Sequence, residues 1–220
     1  MYRILTILSP SQVDECCRIA AAAPFVDGRI SNPHNKAKQN QQLHDPGAYK
    51  QSSQLLREAL VASEEFREFA MPVAMAPPMM TRYQPAMHYG AHADAAFIQL
   101  PDATIRSDLS CTIFLSDPTS YEGGALRIQH GDAGVRFKLR PGEAIVYPSD
   151  MLHEVEPVSK GERLVAISFI QSRIADSVRR NLLFELNEIA ALEGLKMAPE
   201  NMSRLQLVRE NLLRQWGDRP

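Results

Sequence analysis

Cysteine is scarce in this chain, and the little there is does not pair. Cys16, Cys17 and Cys111 include two direct neighbours, which gives neither a disulfide framework nor a zinc-ligand spacing. Each is expected as a small apolar side chain, the first two on a helix and the third in a strand. Long apolar runs are missing as well. No stretch approaches the roughly 18 residues that read as a bilayer span. The opening MYRILTILSPSQ has one arginine and a short apolar stretch broken at Ser9-Pro10. With no small-residue cleavage site, it does not read as a signal peptide. Free thiols without an export signal point to the cytoplasm. There is no surplus of positive charge: the formal net charge of −2 gives no electrostatic reason to expect nucleic acid or an anionic membrane as partner. Internal repeats and low-complexity tracts are also absent.

What is present is the composition of a packed protein. Hydrophobic residues make up 45% and charged residues 23% of 220, enough for one sizeable domain with helical additions. Ser9 with Pro10 and Gln12 reads as a capped helix start, and Val13, Cys16, Cys17 and Ala20 then share a helical face. Residues 28–46 are polar and irregular, with room for one strand. Two short helices are expected over 49–62 and 63–70, and 71–80 is a connection rich in Pro and Met. Met71, Met75, Met79 and Met80 are expected as core filling.

After Thr81 the pattern changes to period two. Leu109, Cys111, Ile113 and Leu115 alternate with Ser110, Thr112 and Phe114, which predicts a half-buried strand. Further strands are expected over 125–129, 135–139, 144–147, 153–158 and 163–170, separated by turns such as Tyr121-Glu122-Gly123-Gly124 and Arg140-Pro141-Gly142-Glu143. Short strands at this spacing suggest a β sandwich or barrel. Helices return in the tail. Val178, Leu182, Leu186 and Ile189 are expected to line one face, Gly194 to stop the helix, and Pro199 to open another that runs through Trp216. The chain thus divides into a helical region over 1–80 packing on the core, a β core over 81–173 and a helical extension over 174–220. The two last helices either cover the core or pair with another chain as a homo-oligomer.

Chemistry concentrates at His92-Ala93-Asp94 and His153. Two residues apart on a strand, His92 and Asp94 share a face, and His153 opens a later strand. Two imidazoles and one carboxylate on one face of an octahedron leave three positions open, the facial triad of oxygen-activating iron(II) enzymes. A 2-oxo acid takes two of those positions and dioxygen the third. The plainer alternative is a surface His/Asp pair with His153 unrelated to it. Arg163 shifts the balance, because a guanidinium on the next strand can grip a distal carboxylate bidentately. Its own alternative is an exposed strand arginine paired with Glu143. His88 is expected as a strand or loop residue rather than a fourth ligand, and His34, His44 and His130 at the surface. Tyr89, Glu122 and Arg127 either face a substrate pocket or lie on turns and strand surfaces.

The segment RYQPAMHYGAHAD, with Tyr83, Tyr89, His92 and Asp94, resembles the prolyl 4-hydroxylase-like pattern Y-x-x-G-x-x-Y-x-x-H-x-D, with Ala86 in place of its glycine. DLSCTIFLSDPTSYEGGALRI, LRPGEAIVYPSDMLHEVEPVSKGER and FIQSRIADSVRRNLLFEL are similar to the bacterial PKHD-type hydroxylases, including those associated with iron uptake. The resemblance spans most of the chain from AKQNQQL onward. It implies a mainly β fold with flanking α-helices, built on a double-stranded β-helix (jelly-roll) core. It also implies an Fe(II)- and 2-oxoglutarate-dependent dioxygenase that hydroxylates its substrate and releases succinate and carbon dioxide. By that resemblance His92, Asp94 and His153 bind Fe(II), Arg163 binds the 2-oxoglutarate C5 carboxylate, Tyr83 assists it, and L-ascorbate is the reductant. Asp94 argues against an iron halogenase, which lacks that carboxylate. The primary substrate is left open between a prolyl or lysyl residue of a protein and a small metabolite. The competing class is a cupin-like metal-binding protein or isomerase that would not consume 2-oxoglutarate.

Overall fold

The computed structural model describes residues 1–31 and 35–218, so the expectation for His34 lies outside the described residues. The chain begins with β1 (Arg3–Thr6), α1 (Pro10–Ala22), β2 (Phe25–Asp27), a 3-10 turn (Gly28–Ser31), β3 (Lys38–Gln39) and β4 (Gln41–Leu43). Next come α2 (Pro46–Ala62), α3 (Glu64–Ala70), β5 (Pro72–Met75) and β6 (Met79–Tyr83). The middle is all strand: β7 (His88–His92), β8 (Phe97–Gln99), β9 (Thr104–Arg106), β10 (Leu109–Phe114), β11 (Glu122–Gly123), β12 (Leu126–His130) and β13 (Ala133–Phe137). It continues with β14 (Glu143–Pro148), β15 (His153–Val155), β16 (Val158–Lys160) and β17 (Arg163–Ser172), and α4 (Ser177–Glu193) and α5 (Pro199–Trp216) follow.

Two antiparallel sheets form the core. The major sheet runs β1-β14-β10-β17-β6-β4-β2, with β5 also on β17, and the minor sheet runs β13-β12-β15-β7-β3. Their facing sides share one cluster, with Tyr83, Phe114, Tyr147 and Val165 from the major sheet and Leu126, Ile128, Phe137 and Val155 from the minor. The outer side of the major sheet carries the helices, through Leu56, Leu60, Phe66, Phe69 and Phe184 packed with Leu109, Cys111 and Ile113. Full burial of each such side chain contributes about 1.5–3 kcal/mol. This is the jelly-roll arrangement expected from the resemblance.

The first 80 residues do more than supply helices. They also hold β1 to β5, of which β1, β2, β4 and β5 join the major sheet and β3 the minor. The residues 71–80 expected as a connection are largely β5 and the start of β6, in which Met75 and Met80 are buried. The α1 start is as read: Ser9 accepts from the Gln12 amide, and the Gln12 side chain reciprocates to the Ser9 N–H. Strand β10 departs from expectation, since all six of its residues are buried. A half-buried strand needs one face in water, but here helices cover one side and the second sheet the other. The tail departs too. Helix α4 buries Arg180, Leu183 and Phe184, while Val178, Leu182 and Ile189 stay exposed. Phe184 meets Phe69 edge-on at 5.5 Å, and that contact turns the helix one face away from its apolar stripe. Cys16 and Cys111 are buried as expected, and burial pushes both thiols up to about 12.

Ala86 occupies a left-handed position, φ 72°. The Met87 N–H donates to the Gln84 carbonyl at 2.9 Å, closing a turn with Pro85 second and Ala86 third. A turn of type II requires positive φ at that third place, which favours glycine. The backbone entering β7 therefore keeps the conformation that a glycine would give, at the expense of alanine strain. Left-handed backbone costs an L-residue about 1–2 kcal/mol, partly offset by the greater unfolded-state freedom of glycine. Ala86→Gly is expected to raise the melting temperature by about 1–3 °C in a thermal melt. A lower melting temperature would show that the alanine methyl contributes more than the strain removes.

Candidate functional site

Cross-strand pairing builds the site. In the minor sheet β15 lies beside β7 with His153 directly opposite His92. Ring centroids are 4.3 Å apart. The chain leaves β7 at His92, and Asp94 sits in the following loop rather than on the strand. Its N–H donates to the Ser149 carbonyl at 3.2 Å, which holds the loop over the sheet. The Asp94 carboxylate lies 3.8 Å from His92 Nε2 through Oδ1 and 3.6 Å from His153 Nε2 through Oδ2. These three are the one group of potential metal ligands found together among the described residues, with ligand atoms all within 4.8 Å of one another.

Hydrogen bonding settles which imidazole nitrogen faces the centre. His92 Nδ1 is 2.8 Å from the Gly90 carbonyl and His153 Nδ1 is 2.9 Å from the Met151 carbonyl. A carbonyl only accepts, so each Nδ1 carries the proton and each Nε2 keeps its lone pair for a cation. Burial, then the neighbouring His153, holds the His92 imidazole below its ordinary value, favouring the neutral ligand form. Tyr89 stacks on His92 at 3.6 Å, and Tyr147 meets His153 edge-on at 5.2 Å. The donor set suits a divalent ion such as iron(II) and leaves open positions.

A chain of three serines reaches Asp94 from the major sheet. Ser110 Oγ is 2.5 Å from Asp94 Oδ2, Ser149 Oγ is 2.8 Å from Ser110, and Ser107 Oγ is 2.8 Å from Ser149. Each hydroxyl has one proton and a carboxylate has none to give, so the donation runs Ser107 to Ser149 to Ser110 to Asp94. Ser110 and Ser149 are both buried. Ser110→Ala is expected to weaken metal binding about 10-fold, the lower end for loss of a partner that orients a ligand. Equilibrium titration of the apoprotein with iron(II) measures this, and unchanged affinity would reduce the serine chain to packing.

The second feature of the pocket is Arg163. It opens β17 directly opposite Tyr83 on β6 and is 1% exposed. No acidic group pairs with it among the described residues, and Nε and Nη1 have no hydrogen-bond partner. Glu143, the alternative partner, is held by Arg140 at 2.6 Å. The guanidinium lies 5.0 Å from the Tyr83 ring and 5.4 Å from the Phe114 ring. Gly124 lies beside it at φ 61°, where a Cβ would meet Val158 Cγ2 at 2.8 Å, Tyr121 Cε2 at 3.2 Å and Arg163 Cδ at 3.3 Å. Asn40 Nδ2 donates to the Tyr83 hydroxyl at 2.9 Å, leaving the phenol proton to donate elsewhere. Burial raises the Tyr83 pKa, so it stays a donor. Buried cations are ordinarily paired, and a guanidinium with two unpartnered nitrogens and no acidic partner, beside a tyrosine donor, fits the distal carboxylate of a dicarboxylic acid.

Arg163, Tyr83, His92, Asp94 and His153 line one pocket, together with Tyr89. Glu122 and Arg127 do not; they are exposed and pair with Lys160 and Glu154. His88 lies on β7 away from the cluster, and His44 and His130 are exposed. Residues that sequence reasoning missed also line it: Lys38 and Asn40 on and just after β3, and Ser110 on β10. Ser110 carried a signal, since it was one of the polar residues alternating along a core strand. Lys38 carried none.

A jelly roll with this pocket defines a class, the iron(II) and 2-oxoglutarate oxygenases, and residues 78–171 match the 2OG-Fe(II) oxygenase superfamily. A PKHD-type hydroxylase of Sphingopyxis alaskensis is 58% identical, over 98% of this chain and 99% of that one. Another from Janthinobacterium sp. is 36% identical, with 99% of each covered. The chain belongs to this family of PKHD-type hydroxylases. A solved prolyl-4-hydroxylase of Pseudomonas putida, 21% identical, aligns with a TM-score of 0.55 over 78% of this chain and 92% of that one, a likeness in fold. The protein is accordingly an Fe(II)- and 2-oxoglutarate-dependent oxygenase. Among the described residues no helix is long and apolar enough to cross a membrane.

Proposed function

We propose that His92, Asp94 and His153 hold the iron, that Arg163 with Tyr83 holds the C5 carboxylate of 2-oxoglutarate, and that the substrate is hydroxylated in the pocket between them. One observation carries the assignment. Two cross-strand pairs, His92 with His153 and Tyr83 with Arg163, face the same pocket from opposite sheets. Bound iron supplies oxygen activation, coupled to oxidation of 2-oxoglutarate to succinate and carbon dioxide. The chain's own residues supply the rest. The Gly90 and Met151 carbonyls fix the imidazole tautomers, Ser110 orients Asp94, and Arg163 and Tyr83 set the co-substrate's far end.

The substrate is proposed as an amino-acid side chain of a protein, prolyl or lysyl, or a small metabolite. Ascorbate is proposed as the reductant and the cytoplasm as the compartment, the latter supported by three free thiols. The catalytic unit proposed over 81–173 is completed by Lys38 and Asn40 from the segment 1–80, with 174–220 as an extension on the outer helical layer. Family membership sets aside the cupin-like alternative.

Anaerobic titration with iron(II) and then 2-oxoglutarate, followed by optical absorption, tests the reading. Admission of oxygen should then yield one succinate per 2-oxoglutarate consumed. Absence of a 2-oxoglutarate-dependent absorption change would sink it.

A further inference from the structure

Lys38 stands in the wall of the pocket without an anion of its own. It is 5% exposed, although lysine is almost never fully buried unless paired. Its ammonium donates to Ser31 Oγ at 2.7 Å and lies 5.6 Å from the centroid of the Tyr89 ring, which is itself stacked on His92. Strand pairing explains the placement, since Lys38 on β3 is directly opposite Tyr89 on β7. Among the described residues no carboxylate lies within ion-pair distance of it; Asp94 of the triad and, more weakly, Asp27 act on it only through space.

The charge balance of the pocket then matters. Its wall carries two basic side chains, Lys38 and Arg163, against one acidic side chain, Asp94. A divalent ion at the triad raises that positive excess further, and 2-oxoglutarate, a dianion, neutralises only the added part. One positive charge is left over. It resides on Lys38, on the Tyr89–His92 side of the pocket, whereas Arg163 lies against Tyr83 and Phe114. Burial pulls the Lys38 ammonium down to about 8, which leaves it mostly charged at neutral pH. An uncompensated buried cation beside a dication is costly, so an occupant bringing a single negative charge completes the site.

We propose that Lys38 is the anchor for the primary substrate, and that this substrate bears a free carboxylate close to the carbon that is hydroxylated. This rests on the oxygenase reading above and deepens it. A monocarboxylate matches the single leftover charge better than a phosphate dianion does. The class is thus a free amino acid, an N-acylated amino acid, a peptide with its C-terminal residue in the pocket, or a similar carboxylic acid. An internal prolyl or lysyl residue, with no carboxylate of its own beside the reacting carbon, does not satisfy it.

The test is a panel of amino acids, N-acetyl amino acids and short peptides, each supplied as the free acid and as the carboxamide, scored by stimulated succinate release. Stimulation is expected from acids, with KM at least tenfold higher for the matching amides. Lys38→Met should raise KM for the acid at least tenfold and abolish the preference over amide, and Lys38→Arg should restore most of it. Anaerobic titration of each variant with 2-oxoglutarate should give a Kd within threefold of the parent, which also shows that the pocket has folded. Amides that stimulate as well as acids, or a panel in which no acid stimulates, would overturn the proposal. So would a Lys38→Met variant that loses 2-oxoglutarate affinity tenfold, since that would place Lys38 on the co-substrate. If the parent shows no 2-oxoglutarate-dependent absorption, the oxygenase reading itself fails, an outcome distinct from any of these.

Discussion

Replacing His92, Asp94 or His153 by alanine is expected to weaken iron(II) binding by more than about 100-fold and to bring succinate formation down to background. The size follows from comparison. Loss of a group that merely orients a ligand costs 10–100-fold in metal affinity or activity, and loss of the ligand itself must exceed that. The two imidazoles are pre-set by carbonyls at 2.8 and 2.9 Å, an orientation that is lost with the ring. No other His, Cys, Asp or Glu side chain among the described residues joins the cluster. Fold should survive, because none of the three belongs to either hydrophobic core cluster, and His92 and Asp94 lie at the end of β7 and in the loop beyond it. Circular dichroism and a thermal melt verify that, and bound iron is measured directly on the purified variants. Full turnover with unchanged iron content in any of the three would remove that residue from the metal assignment.

Arg163→Met is expected to weaken 2-oxoglutarate binding about 10- to 100-fold while leaving iron affinity near that of the parent. A hydrogen bond to a charged group is worth about 1.5–3 kcal/mol, and each 1.4 kcal/mol is a factor of ten. The stability readout has the opposite sign. A guanidinium 1% exposed, with Nε and Nη1 lacking hydrogen-bond partners and with no acidic partner, is a burden to the fold in the absence of an anion. Exchange of such a charge for an apolar side chain of similar length is often neutral or stabilising. The melting temperature without added 2-oxoglutarate should therefore equal or exceed that of the parent, and the protection given by 2-oxoglutarate should largely vanish. A variant that simply unfolds, with no separation of the two readouts, would show Arg163 to be a structural residue of the Tyr83–Phe114 cluster. Arg163→Lys, which keeps the charge but not the planar fork, should fall between the two.

Much of this protein could be read before any coordinates. The Ser9 cap with Gln12 depends on groups three residues apart, and local chemistry of that kind is written in the chain itself. The positions of the strands beginning at His153 and Arg163 follow from period-two patterning and flanking turns, again local signals. The candidate metal residues and Arg163 were found by their order and by motif resemblance. Where the reading failed, the missing quantity was always what lies across from a residue. The alternation along β10 was seen, but Ser110 and Thr112 face the pocket rather than water. The stripe Val178, Leu182 and Ile189 has good helical spacing, yet Phe184 and Leu183 took the contact with the core.

By itself the sequence determined most of the helices and the later core strands and, through the family resemblance, the jelly-roll class and the residue types able to bind iron and a dicarboxylic acid, because these depend on neighbours within a few positions or on an ordered motif. Only the tertiary structure decided that His153 stands opposite His92, that Ser110 of the other sheet grips Asp94, and that Lys38 enters the same pocket without a counterion. Strand pairing brings together residues tens of positions apart, and a cation's need for a partner is set by burial, which no local pattern around Lys38 encodes.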